Sequence, residues 1–144
     1  MPSECTFCRI AKGEIAAAVV LENSNALAFL DHRPLFPGHC LLIPKAHYET
    51  LLDLPADLGQ MFLTATQTLC AAMEDALGAQ GSFVAVNNRI SQSVPHVHIH
   101  VVPRRKKDGL RGFFWPRGKY RDEAEMEAVL ISLRAAVERF KKSR

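Results

Sequence analysis

Pro95-His96-Val97-His98-Ile99-His100-Val101-Val102-Pro103 is the stretch that decides the fold. On a β-strand successive side chains point to opposite faces, so the three histidines would share one face and the intervening aliphatic residues would pack into the core on the other. Surface composition alone does not place an imidazole at every outward position. The stretch therefore predicts a strand over residues 94–103 that carries chemistry on its outward face.

A single metal ion held by all three histidines is the first interpretation that this pattern suggests. Along an extended strand of about 3.4 Å per residue, the Cα atoms of His96 and His100 lie about 13–14 Å apart. One ion with Zn–N bonds of about 2.0–2.1 Å does not readily recruit both ends. The three imidazoles are therefore expected to have different roles.

Five strands and two helices are predicted around this stretch. Apolar runs bounded by turn residues predict strands over 19–21, 26–30, 39–43, 82–86 and 94–103. Pro55 and Gly78 bracket a long helix, and a second apolar periodicity predicts a helix over 122–140. Strands and helices in this order favour an antiparallel α+β domain over a doubly wound α/β domain.

Each predicted helix has one apolar face with residues three or four positions apart, which we expect to be buried. On the first helix this face consists of Leu58, Met61, Phe62, Ala65, Leu69, Ala72 and Ala76. On the second it consists of Met126, Val129, Leu133, Val137 and Phe140.

The composition is that of one globular domain. The chain has 144 residues, of which 48% are hydrophobic and 23% charged, so we expect a single domain over 1–144. No apolar run approaches the ~20 residues that cross a bilayer, and the first residues do not read as a secretory signal. A cytoplasmic protein with no membrane partner is expected, and cysteines in that compartment indicate metal binding, catalysis or burial rather than disulfides.

Positive charge is concentrated in residues 104–121. This stretch holds eight Lys or Arg residues against Asp108, a net charge of +7, whereas the rest of the chain has a net charge of −4. Such a cluster attracts anions, including phosphates and nucleic acid, but a solvated surface loop has the same composition. Both interpretations of this basic C-terminal extension stay open.

Cys5-Thr6-Phe7-Cys8, in the N-terminal segment 4–14, has the cysteine spacing that commonly supplies half of a tetrahedral zinc site. A thioredoxin-like redox pair is the competing interpretation, but such pairs follow a strand of a βαβ unit, and this pair precedes the first predicted strand. His47 and His96 are the candidate further ligands. Four protein ligands leave zinc no open position for water, so the zinc would be structural.

His96 to Val102 resembles the signature of the histidine triad (HIT) family, in which histidine alternates with hydrophobic residues. Other blocks resemble the family in the same order along residues 4–105: Cys5 to Ile10 with Gly13-Glu14, Phe29-Leu30-Asp31, Pro37-Gly38-His39, Ile43 to His47, and Gln92-Ser93-Val94. The resemblance implies an α+β fold with a five-stranded antiparallel sheet, one long helix and a C-terminal helix. It also implies a homodimer that binds purine nucleotides.

The resemblance further implies a role for each matched residue. His98 matches the nucleophile that forms a covalent nucleotidyl-histidine intermediate at the α-phosphate. His100 and His39 match histidines that line the phosphate site, and Asp31 matches the acidic residue that accepts the ribose hydroxyls. Gln92 and Ser93 match phosphate and leaving-group contacts, while the zinc ligands of zinc-containing members are matched by Cys5, Cys8, His47 and His96.

Two stretches depart from the family pattern. Residues 87–91 lack the glycine-rich loop of many members, and Asn87 or Asn88 is expected to make the phosphate contacts instead. After Pro103 the sequence differs from the family's short connection. Trp115 and its basic neighbours either line the leaving-group side of the site or anchor the tail on the core or a dimer partner.

The leading functional expectation is a nucleotide hydrolase or nucleotidyl transferase acting on purine nucleoside 5′-conjugates, either phosphoramidates and acyl phosphates or dinucleoside polyphosphates. The alternative from another class is a nucleotide-binding signalling or scaffold module in which catalysis matters little. A third interpretation uses the basic stretch for nucleic acid. Family branches that act on DNA ends or RNA caps carry extra domains, for which this chain has no room, so nucleic acid is not an expected partner.

Overall fold

The computed structural model describes residues 4–110 and 117–143, in two compact units divided between Asp108 and Gly109. The first unit contains α1 (Thr6–Ala11), β1 (Val19–Glu22), β2 (Ala26–Leu30), β3 (Cys40–Pro44), two short 3₁₀ turns (Leu51–Asp53 and Ala56–Leu58), α2 (Gly59–Leu77), β4 (Gly81–Val86) and β5 (Ile99–Arg104). The second contains α3 (Glu123–Ser143). None of the described helices has the length and apolar character that a membrane crossing requires.

The five strands form one antiparallel sheet in the order β1-β2-β3-β5-β4. The register places Cys40 of β3 opposite Val101 of β5, and Leu41 opposite His100. His100 therefore lies in the interior of the sheet, one strand away from the loop that precedes β3. The sheet and the long helix confirm the predicted α+β fold.

Helix α2 covers one face of the sheet. Its residues Phe62, Ala65, Leu69 and Met73 are buried in a core that also contains Leu42 and Val101 from the sheet. Gly78 ends the helix in the left-handed conformation at φ +65°, as the sequence predicts.

The buried face of α2 differs from the prediction at its C-terminal end. Ala72 and Ala76 are exposed, and Met73 takes the buried position instead. Both alanines line an open apolar groove with Val20 and Leu30 of the sheet. The C-terminal part of α2 therefore presents these two alanines to the groove and not to the core.

The histidine strand begins later than predicted. Strand β5 starts at Ile99, five residues after the predicted start at Val94. Pro95 has no N–H to give to a ladder, and the amide of His96 bonds back to Val94 O at 2.8 Å while that of Val97 bonds to Tyr48 O at 2.7 Å. His96, in a bend, and His98 therefore precede the ladder, and only His100 lies within it.

Helix α3 is present close to its predicted bounds, but its apolar face is not buried. Met126, Val129, Leu133, Val137 and Phe140 are all between 39% and 60% exposed. Among the described residues of its own unit, 109–110 and 117–143, no other helix or strand packs against it. Trp115 and its neighbours at 111–116 lie outside the described residues, and a single domain over 1–144 stays a prediction.

Gly38 is required by the loop that leads into β3. Its φ is +101°, and a Cβ there would overlap the side chain of Leu77 and approach Pro103. We expect Gly38→Ala to lower the free energy of unfolding by about 1–3 kcal/mol, because the positive φ disfavours a side chain and the end of the Leu77 side chain must move to make room for it. Urea unfolding measures this change. Gly13→Ala is the matched control, since Gly13 has φ +77° but open space around it. Equal changes in the free energy of unfolding at both positions would show that the contact with Leu77 does not contribute to the destabilisation.

Candidate active site and metal site

Four predicted zinc ligands come together where α1 meets the sheet. Cys5, Cys8, His47 and His96 each offer a ligand atom, and these atoms all lie within 4.8 Å of one another. The Sγ of Cys8 lies 3.2 Å from His47 Nδ1 and 3.5 Å from His96 Nδ1, and Cys5 Sγ lies 3.4 Å from His96 Nδ1. Tetrahedral zinc with ordinary Zn–S and Zn–N bonds separates sulfur from nitrogen by about 3.5 Å. The donor set and its spacing therefore fit zinc.

A backbone contact orients one of these ligands. His96 is fully buried, and its Nε2–H donates to the carbonyl oxygen of Pro44 at 2.8 Å. The proton on Nε2 leaves a lone pair on Nδ1, which faces the two cysteines. A metal-binding histidine commonly donates its other ring N–H in this way.

Burial keeps Cys8 and His96 uncharged in the absence of a cation. It raises the pKa of the Cys8 thiol to about 11, with Cys5 adding to the effect. It also lowers the pKa of His96 to about 4, against the opposing effect of the hydrogen bond that His96 donates to the Pro44 carbonyl oxygen. A bound dication favours the thiolate, so the cluster is chemically suited to a metal that brings its own charge.

His98 lies beside this cluster, and one of its two ring nitrogens is hydrogen-bonded to the backbone. Its Nδ1–H donates to the carbonyl oxygen of His96 at 2.8 Å, which leaves the lone pair on Nε2. The ring packs edge-on against Phe7, with centroids 5.1 Å apart, and lies 5.0 Å from the ring of His100. His98 is only 3% exposed. A neutral imidazole fixed in this tautomer is a nucleophile with a defined direction.

Asp31, His39 and His100 form a second cluster on the other side of His98. Nε2 of His39 lies 3.0 Å from Nδ1 of His100 and 3.8 Å from a carboxylate oxygen of Asp31. Nδ1 of His39 accepts a hydrogen bond from the backbone N–H of Leu35 at 3.1 Å. The other oxygen of Asp31 accepts from the amide of Arg33, so this carboxylate also caps a turn.

Both histidines of this second cluster are neutral at physiological pH. Burial lowers the pKa of His100 to about 4, and the neighbouring His98 and His39 lower it further against the opposing effect of Asp31. Burial also lowers the pKa of His39, and Asp31 opposes that shift as well. Neutral imidazoles each have one donor and one acceptor nitrogen, so the direction of every hydrogen bond matters here.

The short loop between β4 and the histidine segment is held by side-chain amides. Gln92 accepts from the amide of Arg89 and donates to the carbonyl oxygen of Glu49, while Asn88 accepts from the amide of Leu51 at 2.8 Å. Arg89 and Ser91 have positive φ values of 69° and 61°. The loop thus adopts the left-handed conformations that glycine usually supplies, without glycine.

The remaining predicted site residues flank this loop. Asn87 and Gln92 are half-buried, and Ser93 is exposed. The amide groups of Asn88 and Gln92 are engaged with backbone partners in this structure, and their predicted nucleotide contacts stay predictions. Arg104, at the start of the predicted basic extension, is paired with Asp108 at 2.6 Å.

The sequence patterns did not identify four contributors to this region. They are the Phe7 ring, the carbonyl oxygens of Pro44 and His96, and the N–H of Leu35. Three of these are backbone groups, which leave no side-chain signature. Phe7 lies between the two cysteines, and this position within the motif could have indicated that its ring is close to the site.

Comparison with known proteins supports the same family. The HIT domain family model matches residues 12–107. An adenosine 5′-monophosphoramidase of Saccharomyces cerevisiae is 37% identical over 113 residues, which are 76% of this chain and 69% of the yeast protein. An adenylylsulfatase of Arabidopsis thaliana is 34% identical over 112 residues, which are 76% of this chain and 57% of the plant protein.

A solved structure of a zinc-bound protein has a similar fold. The crystal structure of a Zn-bound histidine triad family protein from Mycobacterium smegmatis aligns with a TM-score of 0.71 and 36% identity, covering 92% of this chain and 97% of that one. The ordered sequence blocks, the five-stranded sheet and the family model agree. This chain belongs to the histidine triad family.

Proposed function

We propose that this protein is a nucleotide-binding hydrolase or nucleotidyl transferase that cleaves purine nucleoside 5′-phosphate conjugates at the α-phosphate, through a covalent nucleotidyl-histidine on His98. The observation that carries the proposal is the bond from His98 Nδ1–H to the His96 carbonyl oxygen, which leaves Nε2 unprotonated. The names of the yeast and plant relatives point to adenosine phosphoramidates and adenylyl sulfate as conjugates to try.

The reaction would proceed in two displacements at phosphorus. In the first, the lone pair of His98 Nε2 forms an N–P bond while the bond from phosphorus to the leaving group breaks, and the leaving group departs with that electron pair. In the second, water attacks phosphorus, gives up its proton to solvent, and the N–P bond breaks to return a neutral imidazole. The His96 carbonyl accepts the Nδ1–H throughout and so stabilises the positive charge on the substituted ring.

The neighbouring residues would position the nucleotide. His100 would contact a non-bridging phosphate oxygen, and Asp31 has one carboxylate oxygen available to accept ribose hydroxyls beside the one that caps the turn. Ser93, exposed before the histidine segment, would meet the leaving group. Phosphoryl transfer depends mainly on such positioning and charge stabilisation.

Zinc would have a structural role in this scheme. Bound by Cys5, Cys8, His47 and His96, it would crosslink the α1 segment to the loops that follow β3 and precede β5, and four protein ligands would leave no open position for water. We also propose that the protein is a cytoplasmic homodimer.

A substrate panel tests the proposal. Purified protein is mixed separately with adenosine 5′-phosphoramidate, adenylyl sulfate, diadenosine triphosphate and diadenosine tetraphosphate, and AMP release is measured. Cleavage of any of these compounds supports the function, and the preferred one identifies the leaving group. Tight nucleotide binding without AMP release from the whole panel would overturn it in favour of a nucleotide-binding scaffold module.

A further inference from the structure

The cluster of Asp31, His39 and His100 has two possible chemistries, a second metal site or a chain of hydrogen bonds. Its three potential ligand atoms lie within 4.8 Å of one another, which is close enough for one ion. The deciding contact is the backbone N–H of Leu35, which lies 3.1 Å from Nδ1 of His39. An N–H donor needs a lone pair opposite it, so Nδ1 carries no proton.

This contact fixes the tautomer of His39. A neutral imidazole has one proton, and with Nδ1 accepting, that proton is on Nε2. A metal bound at Nε2 would need the lone pair there and would move the proton to Nδ1, directly against the Leu35 N–H. The backbone therefore disfavours a metal and favours donation from His39 Nε2–H.

The acceptor of that donation is His100. Nε2 of His39 lies 3.0 Å from Nδ1 of His100, so Nδ1 of His100 accepts and its own proton is on Nε2. We propose that the backbone N–H of Leu35, acting through His39, sets His100 as the Nε2–H tautomer and so makes it a hydrogen-bond donor towards the phosphate. His39 is then a positioning residue. The tautomer assignment stands by itself, and its catalytic consequence rests on the proposed function.

The loop from Asp31 to His39 is built to hold this N–H in place. The amide of Asp31 bonds to the His39 carbonyl at 2.9 Å, which closes the loop, and the amide of His39 bonds to the Phe36 carbonyl at 3.0 Å. Within 34–37, the two prolines have no N–H. The Leu35 side chain is itself 49% exposed, so its contribution to the site is made by its backbone.

His98 and His100 consequently have opposite tautomers. The His96 carbonyl holds the proton of His98 on Nδ1, whereas the relay from Leu35 holds the proton of His100 on Nε2. One ring therefore presents a lone pair and its neighbour presents a donor, with their centroids 5.0 Å apart. Attack on a phosphate needs both a lone pair and a hydrogen-bond donor. The charged or titratable groups that face His100 are His98, His39 and Asp31.

Nitrogen NMR of the histidine rings tests the relay directly, because protonated and unprotonated imidazole nitrogens have well-separated ¹⁵N shifts. In the wild-type protein, Nε2 of His39 and of His100 should be protonated. Leu35→Pro removes the N–H and should release His39 to a mixture of tautomers. Leu35→Ala retains the N–H and is the matched control. A wild-type His100 protonated on Nδ1, or a folded Leu35→Pro variant with unchanged tautomers, would overturn the proposal.

Variants at His39 provide a test that does not depend on the loop tolerating a third proline. His39→Gln keeps an N–H donor near the Nε2 position, whereas His39→Phe removes it. We expect kcat to fall by about 10²-fold in His39→Phe, the size of effect that loss of one oriented donor produces. Most of that loss should be recovered in His39→Gln, with His100 again protonated on Nε2. Equal kcat values in the two variants would overturn the relay. A changed tautomer with unchanged kcat would instead overturn the catalytic role assigned to His100.

Discussion

Replacing His98 with asparagine is expected to reduce the rate of AMP release by about 10⁴-fold or more, because loss of a covalent nucleophile typically lowers kcat by that amount. Asparagine can still donate to the His96 carbonyl from near the Nδ1 position, so the local hydrogen bond is retained. What it lacks is a nucleophilic nitrogen at the Nε2 position. Steady-state rates on the preferred conjugate measure the loss.

The control for this substitution is another histidine. His32→Asn removes an imidazole from the exposed loop beside Asp31 and should leave the rate unchanged. Acid-quenched wild-type protein should also carry a nucleotidyl adduct that mass spectrometry detects and that His98→Asn lacks. A His98→Asn variant with a tenth of wild-type activity would show that His98 is not the nucleophile.

Removal of a zinc ligand is the second change with a large expected effect. Cys8→Ser should abolish stoichiometric zinc binding and lower the free energy of unfolding by about 3 kcal/mol or more, because the other ligands stay buried without their ion. Cys8 is 1% exposed and touches both His47 and His96, so no water shell replaces the lost metal contact. Elemental analysis and urea unfolding report the two quantities.

Cys70→Ser is the matched control for the zinc prediction. Cys70 is a half-buried cysteine on α2, outside the cluster, and its replacement should leave the zinc content at one ion per chain. Addition of a chelator should destabilise the wild-type protein and the Cys70→Ser variant alike. If wild-type protein reconstituted with zinc unfolds at the same urea concentration with and without a chelator, the metal has no structural role.

Much of the fold and the grouping of the site could be predicted because specific residue types carry the signals. The alternation of His96 to Val102 and the proline and glycine around α2 specify local structure by period and by backbone chemistry. The cysteine pair could be associated with two histidines because few side chains bind zinc. His96 and His100 belong to different clusters, as the distance between them along an extended strand predicts.

Other features depend on contacts that a sequence pattern does not record. The late start of β5 follows in part from a hydrogen bond that the N–H of Val97 donates to the carbonyl oxygen of Tyr48, a residue far away in the chain. The tautomers of His98 and His39 depend on a carbonyl and an N–H that every residue possesses. The apolar face of α3 has the helical period that predicts burial, but period alone does not specify what packs against it.

The ring of Phe7 contacts one histidine of the proposed zinc site and one histidine of the proposed catalytic site. It lies between Cys5 and Cys8, and its edge contacts reach both His96, the proposed zinc ligand, at 5.9 Å between centroids, and His98, the proposed nucleophile, at 5.1 Å. A rearrangement of the cysteine turn would therefore also displace the imidazole of His98, the proposed nucleophile. It follows that a slower variant at position 7 should not be ascribed to metal loss or to catalysis until both have been measured in the same sample.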